Sequence, residues 1–365
     1  MPPPGASTGR PAPLRPAAPY PYGVLRFGLL TGGGDCPGLN AAIRAVVRKA
    51  VGVNGDQVLG FQDGWRGVMD GAVRELTVPS VQGILHRGGT ILGSSGANPY
   101  HEGREDAVRA AFSDLALDGI IAIGGDGTLG VAARLAEEGL PVLGIPKTID
   151  NDLAGTDVCI GFATAVQVAT DAIDRLHTTA ESHNRLMLVE VMGRSAGWIA
   201  LEAGLAGGAD MILIPERPFD LDEVGLHLRR RHLHGHSFSI VVVAEGATPA
   251  PGTMELPEYP RDERGFVRYG GITNHLQPLI EERTGYETRV TVLGHVQRGG
   301  SPVAADRVLA TRYGQAAVDL AGAGRWGRMV AMRGGDLTDV PLAQAAKVRP
   351  VPEELYRVAE VFFDH

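Results

Sequence analysis

One alternation recurs along this chain and restricts its fold more than any other feature: a short apolar run, a glycine-rich turn, then a stretch with helical spacing. Residues 24–30 lead into Thr-Gly-Gly-Gly-Asp-Cys-Pro-Gly at 31–38 and a predicted helix over 40–51. Residues 119–123 lead into Gly-Gly-Asp-Gly-Thr at 124–128 and a helix over 129–138, and 186–191 into Met-Gly-Arg-Ser-Ala-Gly at 192–197 and a helix over 198–205. The runs 211–214, 239–243 and 289–293 are β-rich, with helical stretches such as 273–283 and 304–320 between them. Strands alternating with helices build βαβ units, so the expected class is α/β with mainly parallel sheets covered on both faces. Such folds place their chemistry at the carboxyl ends of strands, which is where these glycine-rich turns fall. A length of 365 residues suits about two domains or lobes.

The composition narrows the function. With 44% hydrophobic and 21% charged residues the chain buries a sizeable core. A net charge of -8 argues against a general nucleic-acid binder, although an anionic metabolite stays open if the cations gather in one cleft. Two cysteines, Cys36 and Cys159, exclude a disulfide framework and a cysteine-rich zinc site. Cys36 lies in a glycine-rich loop without an evident base nearby in sequence, so it reads as a bystander and not as a nucleophile. Residues 1–23, rich in Pro and Ala, lack the apolar core of a signal peptide, and no later run approaches a membrane span. The expectation is a disordered leader on a soluble, cytoplasmic protein. The proline-bearing stretch 247–271 reads as a surface excursion, and the basic run 229–236 as a solvated helix C-terminus, where positive charge is favoured.

Several turns carry groups suited to phosphate chemistry. The 31–38 turn is neither a Walker A loop nor GxGxxG, yet consecutive glycines let backbone N–H groups approach a phosphate; a plain tight turn is the alternative. In 124–128, Asp126 is placed to face a Mg2+ held on donor phosphates, and Gly127 leaves room for a phosphate chain. The loop Pro-Lys-Thr-Ile-Asp-Asn-Asp at 146–152 follows an apolar run at 140–145 and holds two carboxylates two residues apart. Taken alone it is better read as a polar turn. Downstream, Arg185, Arg194, Arg289 and Arg298, with His295, all sit at strand–loop junctions, a pattern that favours a phosphorylated substrate.

The ordered set TGGGDCPGLNAAIR, GGDGT, PKTIDND, GFATA, VEVMGRSAGW, AEGA and LGHVQRGGSP resembles the 6-phosphofructokinase family over residues 25–335. The 247–271 excursion and the TGGGDCPG form resemble the bacterial-type group that mixes ATP- and pyrophosphate-dependent enzymes. The resemblance implies two three-layer αβα lobes with the active site in the cleft between them. Residues 24–161 with 297–347 would form the donor lobe, and 162–296 with 348–365 the sugar-phosphate lobe. It assigns Gly34, Gly125, Asp126, Gly127, Thr128 and Lys147 to the phosphoryl donor, with Asp126 facing Mg2+. Asp150 is implied as general base toward the sugar 1-hydroxyl, with Asp152 as partner carboxylate and Thr148 on the transferred phosphoryl group. Ile149, Met192, Gly193 and Arg194 are implied at the substrate, Arg194 steadying the transition state, and Glu245 at the sugar hydroxyls. Arg185, Arg289, His295 and Arg298 are implied at the 6-phosphate, with Arg185 and Arg289 arriving from a neighbour in a homodimer or homotetramer.

Donor choice turns on two positions. Pyrophosphate users of this family carry Asp at the position of Gly127, filling the space of the ATP α-phosphate, and Lys at the position of Lys147. Gly127 leaves that space open here, so ATP is the expected donor and pyrophosphate the alternative. Three departures stand out. Gly96 occupies the position where the family usually has an arginine reaching the donor. At the bacterial effector site Arg44 and Arg48 match, but His177, His234 and His236 stand where Arg or Lys is expected. Ser195 replaces a bulkier residue and reads as neutral. Other GGDGT kinases, such as NAD or lipid kinases, lack the PKTIDND and HVQRGG loops. A non-catalytic regulator that binds sugar phosphate or nucleotide has only Gly96 in its favour.

Overall fold

The computed structural model describes residues 23–256, 259, 260, 267 and 269–363. The expected leader, apart from Gly23, and part of the 247–271 excursion lie outside the described residues. The first half of the chain forms β1 (Arg26–Thr31), α1 (Leu39–Lys49), β2 (Gln57–Phe61), α2 (Trp65–Asp70), β3 (Val73–Leu76), α3 (Pro99–Glu102), α4 (Glu105–Asp114), β4 (Gly119–Gly124), α5 (Asp126–Glu137) and β5 (Val142–Pro146). There follow α6 (Phe162–His183), β6 (Leu186–Val191), α7 (Trp198–Ala206), β7 (Met211–Leu213), α8 (Leu221–Leu233), β8 (Ser239–Ala244), α9 (Ile272–Thr284) and β9 (Thr288–Val292). The chain closes with α10 (Ala304–Gly322), β10 (Arg328–Arg333), β11 (Asp336–Pro341) and α11 (Glu353–Glu360).

The strands make two sheets. One has seven strands in the order β11-β10-β5-β4-β1-β2-β3, and the other has four in the order β7-β8-β6-β9. The four-stranded sheet is parallel throughout. The seven-stranded sheet is parallel at its centre, while β3 and β11 close its edges as antiparallel partners of β2 and β10.

Period-two alternation explains the layering. Along β4, Ile121 and Ile123 point into one core with Phe27, Leu29 and the α1 and α10 side chains, whereas Ile120 and Ala122 point into another with Leu129, Ala132 and Leu135 of α5. Along β8, Ile240 and Val242 face α6 and α7, while Val241 and Val243 face α8 and α9. Each sheet is therefore covered by helices on both faces, giving two αβα lobes. One apolar core runs from the α1 side of the first sheet to the α6 side of the second, which binds the lobes to each other.

Three sequence expectations change here. The helix expected from residue 129 begins at Asp126, with Gly125 in an extended conformation at its N-cap. Asp126, Gly127 and Thr128 are thus its first turn, where a carboxylate is favoured by the unsatisfied N–H groups and the helix dipole. The helix expected over 40–51 is α-helical only to Lys49 and continues as a single π turn over Ala50–Asn54, closed by left-handed Gly55. The 247–271 excursion also does more than cover surface, since Val267, Tyr269 and Gly270 line a cleft beside Glu245. The 229–236 run closes α8 as expected, with Arg230, Arg231 and His232 in its last turn, but Arg231 is buried and paired with Asp210 instead of solvated. No helix among the described residues is long and apolar enough to cross a membrane.

Candidate active site

Four turns meet where the two sheets face each other. The turn after β1 lies against the start of α5 and the loop carrying Ser94 and Ser95. The Gly33 N–H donates to Ser95 O at 2.8 Å, and Ser94 Oγ donates back to Gly33 O. A Cβ at Gly34 would stand 2.3 Å from Arg298 Nη1, so the absence of a side chain lets that guanidinium lie across the loop. Gly127 is different: a Cβ there would meet nothing within 4 Å, because it faces open space in the cleft.

The loop after β5 supplies the buried charges. Its first residue is fixed to the end of the neighbouring strand β4 by Lys147 N–H donating to Gly124 O at 2.9 Å. The Lys147 side chain is 2% exposed, and its Nζ donates to the carbonyls of Gly32 (3.0 Å) and Gly34. Burial holds its pKa below the usual lysine range. Thr148 Oγ1 accepts the Asp150 N–H at 3.1 Å. Ile149 is fully buried and anchors the loop in the core. Asn151 takes the left-handed conformation (φ 53°), which an asparagine tolerates, and its side chain ties the loop to Asp157 O and the Cys159 N–H.

Asp150 Oδ1 is buried with no hydrogen-bond partner among the described residues, an arrangement that asks for a ligand group. Its Oδ2 lies 3.8 Å from Arg194 Nε, while Arg194 Nη1 lies 3.5 Å from Asp126 Oδ2. One guanidinium therefore bridges a carboxylate on each of two neighbouring turns. Burial first, then the charges of Asp150 and Asp126, push the Asp152 carboxyl up to about 7.

Arg194 reaches this point from the other sheet. The turn after β6 needs Gly193 at φ 148°, and Arg194 itself is left-handed at φ 52°. Glu245, at the end of β8, holds that conformation by accepting the Gly193 and Arg194 N–H groups at 3.3 and 3.0 Å. Burial pushes the Glu245 carboxyl up to about 7. Gln297, fully buried, accepts the Met192 N–H through its Oε1 at 3.3 Å.

Two clefts abut across Arg194 and Arg298, which line both. The first has an empty volume of about 840 Å3, part of it open to solvent, and is walled by Gly34, Gly96, Asp126, Gly127, Lys147 and Asp150 among others. The second, about 1020 Å3 on the same measure, is walled by Met192, Glu245, Tyr269 and His295 among others. Arg185 and Arg289 are not brought to either cleft. They sit at the amino ends of β6 and β9, both paired with Glu287, and six residues of strand put them roughly 20 Å from Arg194.

Among the described residues no cluster of three or more His, Cys, Asp or Glu side chains is placed to hold a metal. Asp126, with its side chain 46% exposed at the mouth of the first cleft, suits a Mg2+ that draws one carboxylate from protein and the rest of its shell from phosphate and water. Cys36 is buried, its Sγ–H donates to Ile160 O, and burial pushes its pKa up to about 12, so it is not a nucleophile at neutral pH. Sequence reading passed over Gln297 and Glu190, both inside motifs it quoted, and His101, which lines the first cleft.

A phosphofructokinase family model matches residues 26–321. The chain is 56% identical to a pyrophosphate–fructose 6-phosphate 1-phosphotransferase of Amycolatopsis methanolica over 93% of this chain and 100% of that protein. It is 53% identical to ATP-dependent 6-phosphofructokinase 3 of Streptomyces coelicolor over 92% of this chain and 99% of that one. Among solved structures, phosphofructokinase from Saccharomyces cerevisiae superposes with a TM-score of 0.75 at 30% identity, over 93% of this chain and 46% of that longer chain.

Proposed function

The chain belongs to the phosphofructokinase family, and on that premise we propose that it transfers the γ-phosphoryl group of ATP to the 1-hydroxyl of fructose 6-phosphate in glycolysis. The observation that carries this reading is the Arg194 guanidinium spanning Asp126 and Asp150 where the two clefts meet. Donor phosphates occupy the cleft with Gly34, Gly125, Gly127, Thr128 and Lys147, and the sugar lies in the cleft with Met192, Gly193 and Glu245. Asp150 accepts the proton of the sugar 1-hydroxyl as that oxygen bonds to phosphorus, and the bond to the donor's bridging oxygen breaks with its electron pair leaving on ADP. The hydroxyl becomes acidic only as the new bond forms, so an ordinary carboxylate suffices as base. Arg194 and Thr148 face the transferred group, and Asp152 shares the loop's negative charge. Mg2+, with Asp126 as protein ligand, supplies neutralisation of phosphate charge when bound.

His295 and Arg298 hold the 6-phosphate from within the chain, and Arg185 and Arg289 complete that pocket in a neighbour of a cytoplasmic homodimer or homotetramer. Their place at the far end of the sheet supports this division. The open space at Gly127 supports ATP. Pyrophosphate remains the second reading because Lys147 is retained and the 56% identical relative carries that name. The test supplies Mg2+ and fructose 6-phosphate with either donor in parallel and follows the bisphosphate. Turnover with ATP at the higher kcat/KM is expected; product with pyrophosphate alone overturns the donor assignment, and none with either donor overturns catalysis.

A further inference from the structure

The segment after β11 crosses behind both catalytic turns and is bonded to each. On the donor side, Lys347 O accepts the Ala154 N–H at 3.0 Å, Val348 bridges Leu153 in antiparallel fashion, and the Arg349 N–H donates to Asp152 O at 2.6 Å. The Arg349 guanidinium adds Nη2 to Asn151 O at 3.1 Å and to Asp157 O at 2.7 Å, with Nε 3.3 Å from Asn151 O. On the sugar side, Arg349 lies over the Trp198 ring, 3.9 Å from its centroid, and Arg349 O accepts the indole N–H at 2.9 Å. Trp198 opens the helix that follows the Arg194 turn. Two residues further on, the Val351 N–H donates to Glu216, whose carboxylate also accepts the Gly197 N–H at 3.0 Å.

These bonds end on or close to two left-handed residues of the site. Asn151 holds left-handed backbone between Asp150 and Asp152, and Arg194 holds it in the facing turn. Strained residues keep such conformations only where their surroundings over-determine them. An arginine is suited to the task because its planar fork donates to two carbonyls while its face stacks on an indole.

We propose that Arg349 is a positioning residue: by tying the Asn151 and Asp157 carbonyls to Trp198, it fixes the distance between the Asp150 carboxylate and the Arg194 guanidinium. Its side chain touches neither cleft, so it acts on chemistry and not on substrate affinity. The inference rests on the functional reading above for the roles of Asp150 and Arg194.

The test compares wild type, Arg349→Ala, Arg349→Lys and Trp198→Phe in steady-state turnover of fructose 6-phosphate, and repeats Arg349→Ala in the Asp150→Asn background. A misplacement of about 1 Å costs on the order of a hundredfold. Arg349→Ala is expected to lower kcat by about ten- to hundredfold with both KM values within about twofold, and Arg349→Lys to recover only part of the loss. In the Asp150→Asn background the same change should cost less than about twofold, because the base it positions is gone. Wild-type kcat in Arg349→Ala, a loss confined to KM, or full additivity with Asp150→Asn overturns the proposal. If Arg349→Ala does not fold, Trp198→Phe decides: it replaces the indole by a smaller ring, weakening the guanidinium stacking and removing the indole N–H bond to Arg349 O, and an unchanged kcat there overturns the proposal. An inactive wild type would instead overturn the functional reading.

Discussion

Replacing Gly127 with aspartate isolates the donor question, because the structure separates its effect on folding from its effect on ATP. A Cβ at this position meets no atom within 4 Å among the described residues beyond its own helix turn, so none of them must move. The residue lies in the first turn of α5, where a carboxylate gains about 0.3–1 kcal/mol from the helix N-terminus and loss of a glycine gains about 0.5–1 kcal/mol. Repulsion from adjacent Asp126 offsets part of this, and Tm should stay within a few degrees of wild type. The cost appears when ATP binds. A carboxylate about 4 Å from a phosphate charge is disfavoured by about 1 kcal/mol with bulk-water screening and about 4 kcal/mol at a protein-surface dielectric. That corresponds to a loss of kcat/KM for ATP between roughly fivefold and a thousandfold, with steric exclusion adding to it. Pyrophosphate has no phosphate beyond the reacting pair, so its kcat/KM should change far less. The assay is bisphosphate formation by wild type and G127D with each donor. Equal losses with both donors, or a large fall in Tm, would refute the argument from open space.

Asp150→Asn keeps the shape of a side chain that is 4% exposed, and it is expected to lower kcat by about 10²–10⁴-fold with KM within about threefold; near-normal turnover in the same assay removes Asp150 as the base. Gly96→Arg places a guanidinium in the wall of the first cleft and should raise kcat by about tenfold, the worth of one charge-assisted hydrogen bond; unchanged turnover means another group already serves. Glu245 carries its proton up to about pH 7 in the folded state but only to about 4.5 when unfolded. Between those values the folded state binds more protons, so stability is greatest at the acidic end and declines as pH rises toward neutrality. Glu245→Gln should flatten the decline in Tm from pH 5 to 7.5, and an unchanged slope in thermal melts counts against the buried acid as its source.

The fold was legible because period-two and period-3.6 patterns report burial directly, and glycine-rich turns after β1, β4 and β6 mark strand ends. Asp126 and Arg194 were legible as charged groups at strand ends, which converge in parallel sheets, whereas Asp150 lies in a loop that alone reads as a polar turn and is singled out through the family resemblance. What escaped were groups whose role lies in distant contact. Gln297 and Glu190 stood inside quoted motifs, yet nothing in their spacing says that one accepts the Met192 N–H or that the other caps α9 through Gly271 and Thr273. Arg349 is further removed, almost two hundred residues from the loop it binds, in a stretch without periodicity.

Lys147 shows most clearly where reasoning from residue type stops. Its sequence neighbours place its Cα on the donor side, and a flexible cation there reads as a group that meets the donor or swings aside. In the fold the side chain is 2% exposed, and its ammonium is donated to the Gly32 and Gly34 carbonyls. An ammonium buried with carbonyl partners loses both the hydration and those bonds if it moves, a penalty of several kcal/mol that an exposed lysine does not face. Swinging aside is therefore the costly option, and holding the Gly32–Gly34 turn is the cheap one. Lys147 lines the first cleft but is fixed under that turn, and the two arginines that line the same cleft, Arg194 and Arg298, also line the second. On the proposed reading of the two clefts, donor and acceptor consequently share positive charge. A change at either arginine should then perturb the apparent affinities for both substrates together, whereas a change at Lys147 should act through the shape of the glycine turn.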